Sequence, residues 1–184
     1  DSNDKMINKI QEIKDNGNIG NIINYEFKRE TYNNGDAYEG QIRNGKRDGK
    51  GIGYFSNGAR YEGEWKNGTK GGKGIFYYIN GDRYEGDWKK DQKEGKGTAY
   101  FNNGNKYEGN YKTGFREGKG VFYFNNGNRY EGDFKNDKRE GKGIFYYNNG
   151  DRYKGDWKND KKKEKEYIII IMVIYMKEIG KMIN

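Results

Sequence analysis

The chain has 184 residues, of which only 31% are hydrophobic and 30 are Gly, so a conventional globular core is not expected. It contains neither Cys nor His, which excludes disulfides, thiolate chemistry, the usual zinc sites and the Ser-His and Cys-His nucleophile pairs, and leaves a reducing compartment open. Its formal net charge of +8 is thinly spread: residues 31–160 hold 25 Lys/Arg against 19 Asp/Glu, a mildly basic mixture that is low for a surface tracking nucleic-acid phosphates.

Residues 1–30 are polar and rich in Asn and Lys. Met6, Ile7, Ile10 and Ile13 fall near helical spacing, which suggests a short amphipathic helix. Gly17 and Ile19 also lie 23 residues before Gly40 and Ile42, so the segment reads equally as a degenerate repeat at the end of an array. The chain opens on Asp1 and not on Met, so a longer protein is expected, with targeting signals outside this stretch.

From residue 31 to residue 160 one pattern returns every 23 residues. Its core is Tyr61-Glu62-Gly63-Glu64-Trp65, repeated as Tyr84-Glu85-Gly86-Asp87-Trp88, Tyr107-Glu108-Gly109-Asn110-Tyr111, Tyr130-Glu131-Gly132-Asp133-Phe134 and Tyr153-Lys154-Gly155-Asp156-Trp157. A first copy, Tyr38 to Ile42, replaces the Trp. Each of the first five copies is followed by Gly-Lys-Gly, centred on Lys50, Lys73, Lys96, Lys119 and Lys142. Asn-Gly pairs (Asn34-Gly35, then Asn57-Gly58 through to Asn149-Gly150) separate two strand-like runs, the sequence signal of a type I′ hairpin turn. A charged stretch such as Lys89 to Glu94 reads as the loop that reverses the chain into the Gly-Lys-Gly strand.

Alternation assigns the faces. Tyr84, Gly86 and Trp88 share one side of their strand and Arg83, Glu85 and Asp87 the other. The expected core is therefore Tyr61, Gly63, Trp65, Tyr84, Gly86, Trp88, Tyr107, Gly109, Tyr111, Tyr130, Gly132, Phe134, Tyr153, Gly155 and Trp157, with a ring or strand crossing close over each Gly. In the second strand Phe76 and Tyr78 oppose Ile75 and Tyr77, so both faces carry rings and one is expected to line a groove. At about 4.8 Å per strand, the five lysines form a ladder with steps of roughly 10 Å and a length of about 40 Å. The ladder and the second ring column, Tyr54, Tyr77, Tyr100, Tyr123 and Tyr146, are the candidate lipid- or partner-binding residues.

The Y-x-G-x-W, G-x-G and N-G unit resembles the MORN (membrane occupation and recognition nexus) repeat over residues 31–160. The resemblance implies an all-β, elongated array of stacked antiparallel hairpins in a single twisted meander sheet with a groove. It implies work as a scaffold or adaptor that binds a protein partner, associates with itself or tethers to a membrane, in the cytoplasm or at the cytoplasmic face of a membrane or cytoskeleton. Two other readings stand beside it: an anionic-phospholipid (phosphoinositide) module, and a regulatory segment of a larger enzyme such as a lipid kinase. Ile42, Tyr111 and Phe134 at the Trp position and Lys154 at the Glu position depart from the pattern, Ile42 suggesting a weaker first unit.

No catalytic residue, cofactor or metal is expected, and nucleic acid is disfavoured as a partner. The carboxylates recur in every unit, as structural groups do, and neither G-x-x-x-x-G-K-[ST] nor G-x-G-x-x-G occurs.

Residues 161–184 break the pattern with the apolar run Tyr167 to Met176, too short to span a bilayer as a helix. With each codon taken as the last base of one codon and the first two of the next, Met172-Val173 must give Gly, Met176-Lys177 Glu and Met182-Ile183 Asp, at the spacings of the repeat. The other positions are compatible with G-K-G-I-Y-Y-Y-N-N-G-D-I-Y-E-G-D-W-K-N-D. The tail therefore reads as a seventh repeat displaced out of frame by a lost base between Asp160 and Lys163.

Overall fold

The computed structural model describes residues 25–163, so the expected N-terminal helix and all but the first three residues of the tail lie outside the described residues. Thirteen antiparallel strands run in sequence order through one open meander sheet, with no helix among the described residues. Short strands, β2 (Ala37–Arg43), β4 (Arg60–Lys66), β6 (Arg83–Lys89), β8 (Lys106–Lys112), β10 (Arg129–Lys135) and β12 (Arg152–Lys158), carry the Tyr-x-Gly-x-Trp motif. They alternate with long strands, β3 (Lys46–Tyr54), β5 (Thr69–Tyr77), β7 (Gln92–Tyr100), β9 (Phe115–Tyr123) and β11 (Lys138–Tyr146), which carry Gly-Lys-Gly. β1 (Glu26–Thr31) and β13 (Lys161–Lys162) complete the sheet, which thus begins before residue 31.

The two kinds of connection exchange the roles expected of them. At Asn103-Gly104 only the Gly is left-handed (φ 84°), Gly104 N–H donates to Phe101 O and Phe101 N–H to Asn105 O. This is a type I turn closed by a Gly bulge, not a type I′ turn. The tight two-residue turn is instead at Lys90-Asp91, where both residues are left-handed (φ 48° and 67°), as are Asn136-Asp137 and Asn159-Asp160. The charged stretch expected to be a loop is therefore mostly strand: Lys89 pairs with Gln92 and Trp88 with Lys93. A bulge comes next along the strand, since the following pair is Gly86 with Gly97, and Gly95 takes up the strain at φ 67°.

The register brings the Gly of each Tyr-x-Gly and the second Gly of each Gly-Lys-Gly into one row. From Gly40 and Gly51 through Gly86 and Gly97 to Gly143 and Gly155, each Gly pairs with the next across eleven strands. A Cβ at Gly97 would lie 2.4 Å from the Tyr84 hydroxyl and 2.5 Å from its ring. The row exists because the Tyr of each unit lies flat across it. That ring is fully buried in Tyr38, Tyr61, Tyr84, Tyr107 and Tyr130, and its hydroxyl is satisfied locally, as in Tyr84 Oη donating to Asp87 O at 3.1 Å.

The Trp-position residue packs edge-on against its own Tyr and that of the preceding unit. Trp88 lies 5.2 Å from Tyr84 and 5.3 Å from Tyr61, and Tyr111 and Phe134 keep the geometry. Ile42, 2% exposed, fills the same place in the first unit. The core is thus a single file of interlocked rings, in which every unit completes its neighbour.

Candidate functional site

The opposite face of the sheet carries three rows of side chains that cross the strands. In the first, Tyr77, Tyr100, Tyr123 and Tyr146 alternate with Arg60, Arg83, Lys106 and Arg129. Each base lies over the next ring, at 4.4, 4.2, 4.4 and 4.3 Å from the ring centre. Tyr54 has Ala37 in place of such a base and is the most exposed of the five, at 39%. These rings are therefore largely occupied by cations of the chain itself.

The second row alternates Glu62, Glu85, Glu108 and Glu131 with Ile75, Thr98, Val121 and Ile144, and ends in Lys154. The Glu residues pair within their own strand, as in Arg60 with Glu62 at 2.8 Å and Lys106 with Glu108 at 2.7 Å.

The third row holds the lysine ladder. All five lysines point to solvent, but each faces a residue of the following unit: Lys50 faces Glu64, Lys73 Asp87, Lys96 Asn110, Lys119 Asp133 and Lys142 Asp156. Ion pairs form from Lys73, Lys119 and Lys142, at 2.5, 2.7 and 3.5 Å. Asp87 in addition accepts the Lys96 N–H at 3.0 Å, which closes the bulge, and these contacts hold its carboxyl below the usual range against the opposing effect of burial. The lysine ladder is mostly a row of cross-strand pairs.

Between the second and third rows runs a trough of about 1460 Å³ that spans β4 to β12. Its floor is the backbone of the glycine row, from Gly63 to Gly155, on the side away from the Tyr rings. No group of His, Cys, Asp or Glu among the described residues is placed to hold a metal ion.

Sequence reasoning missed a fourth set of charges, on the ring-lined face. Arg47, Lys70, Lys93, Arg116, Arg139 and Lys162 recur at the repeat spacing and lie over the core rings, as in Arg47 over Trp65 at 4.4 Å and Lys93 over Tyr84 at 4.8 Å. Lys70, Arg116 and Arg139 receive a carboxylate from the next unit's turn. Their 23-residue spacing was a visible signal, hidden only because they sit in what reads as a charged loop.

Three comparisons bear on the chain. No curated protein sequence matches it significantly. Among solved structures, the TCP domain of Drosophila melanogaster SAS-4 (dCPAP), in complex with a proline-rich motif of Ana2, is 18% identical with a TM-score of 0.45, over 71% of each chain. The TCP10 domain of Danio rerio CPAP in complex with a STIL peptide is 12% identical with a TM-score of 0.30, over 69% of this chain and 72% of that one. The family model of the MORN repeat matches six consecutive segments, residues 38–60, 61–83, 84–106, 107–129, 130–152 and 153–163. These segments begin at the Tyr that covers the glycine row and span the ring-packed units of the sheet, so the chain belongs to the MORN repeat family.

Proposed function

We propose that the chain is a non-enzymatic cytoplasmic scaffold whose trough takes up a segment of a protein partner. One observation carries the reading. The trough is long, rigidly floored and electrically balanced, with Glu62, Glu85, Glu108, Glu131 and Asp156 lining it against Lys73, Lys96, Lys119, Lys142 and Lys154.

An anionic membrane is best served by an excess of unpaired cations, and this surface spends most of its lysines on Asp side chains of its own. A mixed lining with Ile75, Thr98, Val121 and Ile144 between the charges instead suits a polypeptide, which can match both apolar and charged positions. The rigid backbone floor also lowers the ordering entropy that binding must overcome.

The test is a photo-reactive amino acid at Val121, in the trough, compared with one at Asn136 on a turn. The expected result in cell extract is a discrete adduct from position 121 alone, competed away by unmodified protein. Equal labelling from both positions refutes the assignment to the trough. Sedimentation with phosphatidylcholine vesicles containing phosphatidylinositol bisphosphate runs in parallel: binding that disappears in high salt would put the lipid reading first.

A further inference from the structure

The inner column of bases repeats a small binding site whose acid is present in some units and replaced in others. At Lys70 the Asp91 carboxylate accepts the backbone N–H at 2.9 Å and the ammonium at 3.1 Å. At Arg116 the Asp137 carboxylate accepts the backbone N–H at 2.9 Å and Nε at 3.1 Å, and Asp160 does the same at Arg139, again at 2.9 and 3.1 Å. In each case the Asp stands 21 residues after the base, at the second position of the tight turn.

At Arg47 and Lys93 that position is Gly68 and Gly114. The turn itself is kept, since Gly68 N–H still donates to Arg47 O at 2.8 Å and Gly114 N–H to Lys93 O at 3.0 Å. A Cβ at either Gly would meet nothing within 4 Å, so the place filled by the Asp side chain in the other units is open to solvent. Neither Arg47 nor Lys93 makes an ion pair among the described residues. Lys93 is held among the rings of Tyr78, Tyr84 and Tyr111, at 5.2, 4.8 and 5.6 Å, where burial pushes its amine below the ordinary lysine value. A cation so placed gains from any carboxylate that reaches it.

We propose that Arg47 with Gly68, and Lys93 with Gly114, are two docking sites for Asp or Glu side chains of a protein partner lying along the tight-turn edge of the sheet. The donor geometry is the one that binds an Asp carboxylate at Lys70, Arg116 and Arg139 in the same molecule. The sites lie four strands apart, which sets the spacing of the partner's acids at about 19 Å. The inference rests on the reading of the chain as a protein-binding array, but on a different face from the trough, so the two can fail separately.

The experiment is a titration of ¹⁵N-labelled protein with a twelve-residue (Glu-Gly) peptide, and separately with inorganic phosphate. The expected result is saturable peptide-induced shifts of the Arg47, Gly68, Lys93 and Gly114 amides, unchanged when Thr98→Trp obstructs the trough. Gly68→Asp with Gly114→Asp supplies the acid from within and is expected to weaken peptide binding about tenfold or more. Asp137→Gly, which needs no strained backbone, is expected to create a third responsive site at Arg116. Equal affinity in the double Asp variant, shifts confined to the outer lysines, or no new response at Arg116 would overturn the proposal. Shifts with phosphate but not peptide would overturn the protein occupant, and a wild-type dimer abolished by the double variant would assign the sites to a second copy and overturn it equally.

Discussion

Gly97→Ala isolates the packing principle of the array in a single methyl group. The new Cβ would stand 2.4, 2.5 and 2.6 Å from Oη, Cε2 and Cζ of Tyr84, a ring with no exposed surface and with Trp88 and Tyr111 edge-on at 5.2 and 4.9 Å. Tyr84 cannot swing away without displacing both neighbours. Overpacking of this kind costs about 1–3 kcal/mol. Forcing the hydroxyl off Asp87 O adds about 1 kcal/mol or more for a buried donor left unpaired. A loss of about 3 kcal/mol is therefore expected in urea unfolding followed by tryptophan fluorescence, with Trp88 as the local reporter. Gly71→Ala is the control: its Cβ meets Lys66 Cβ at 3.4 Å, an ordinary contact, and the change should stay within about 0.5 kcal/mol. If the clash is the cause, adding Tyr84→Ala to Gly97→Ala must cost about 2 kcal/mol less than the sum of the two single losses. A Gly97→Ala protein that unfolds where Gly71→Ala does, or a strictly additive double variant, would refute the account of the glycine row.

Three further outcomes are expected of the same structure. Burial pushes the Tyr38 and Tyr78 hydroxyls up to about 12 and those of Tyr61, Tyr84, Tyr107 and Tyr130 higher still. The folded state thus holds protons that the unfolded chain releases near pH 10, so stability should be full below about pH 10 and fall as pH rises toward about 12. Tyrosinate absorbance should appear together with unfolding, and smooth titration in a folded protein would contradict the burial. Arg116→Met removes a base bonded to Asp137 and is expected to lower stability by about 1.5 kcal/mol, whereas Lys93→Met removes a buried base without an acid and should be neutral or stabilising in the same urea assay. Finally, the DNA encoding residues 161–184, read one base earlier, should run on as a MORN unit; a stop codon in that frame would remove the seventh repeat.

The repeat register, the ring-bearing face and the close cover over each Gly were legible because a two-residue alternation and a 23-residue period need no knowledge of the partner strand. The turns were not. Asn103-Gly104 carries the strongest hairpin signal in the unit, yet its extra residue makes it a type I turn with a Gly bulge. Lys90-Asp91, with no such signal, adopts the tight left-handed turn because Asp91 is tied to Lys70 of the preceding unit, a tertiary contact that outweighs local preference. The ladder of Lys50 to Lys142 is visible as a row, but its neutralisation depends on the pairing of Lys73 with Asp87, a register set by the unbulged β5–β6 hairpin. The inner bases are hidden because Lys93 and Arg116 sit in what reads as a charged loop, although the alternation that carries Gly95 and Gly97 also places Lys93 on the ring-lined face.

The central claim is that the motif residues pack and the exposed trough binds. Thr98→Trp tests it most directly, because it places a bulky ring in the middle of the trough, two strands from Val121, without reaching the Tyr84 ring on the opposite face. The account predicts that this variant keeps the wild-type melting temperature and loses the adduct from position 121. Capture retained at full strength with the trough so obstructed would contradict it.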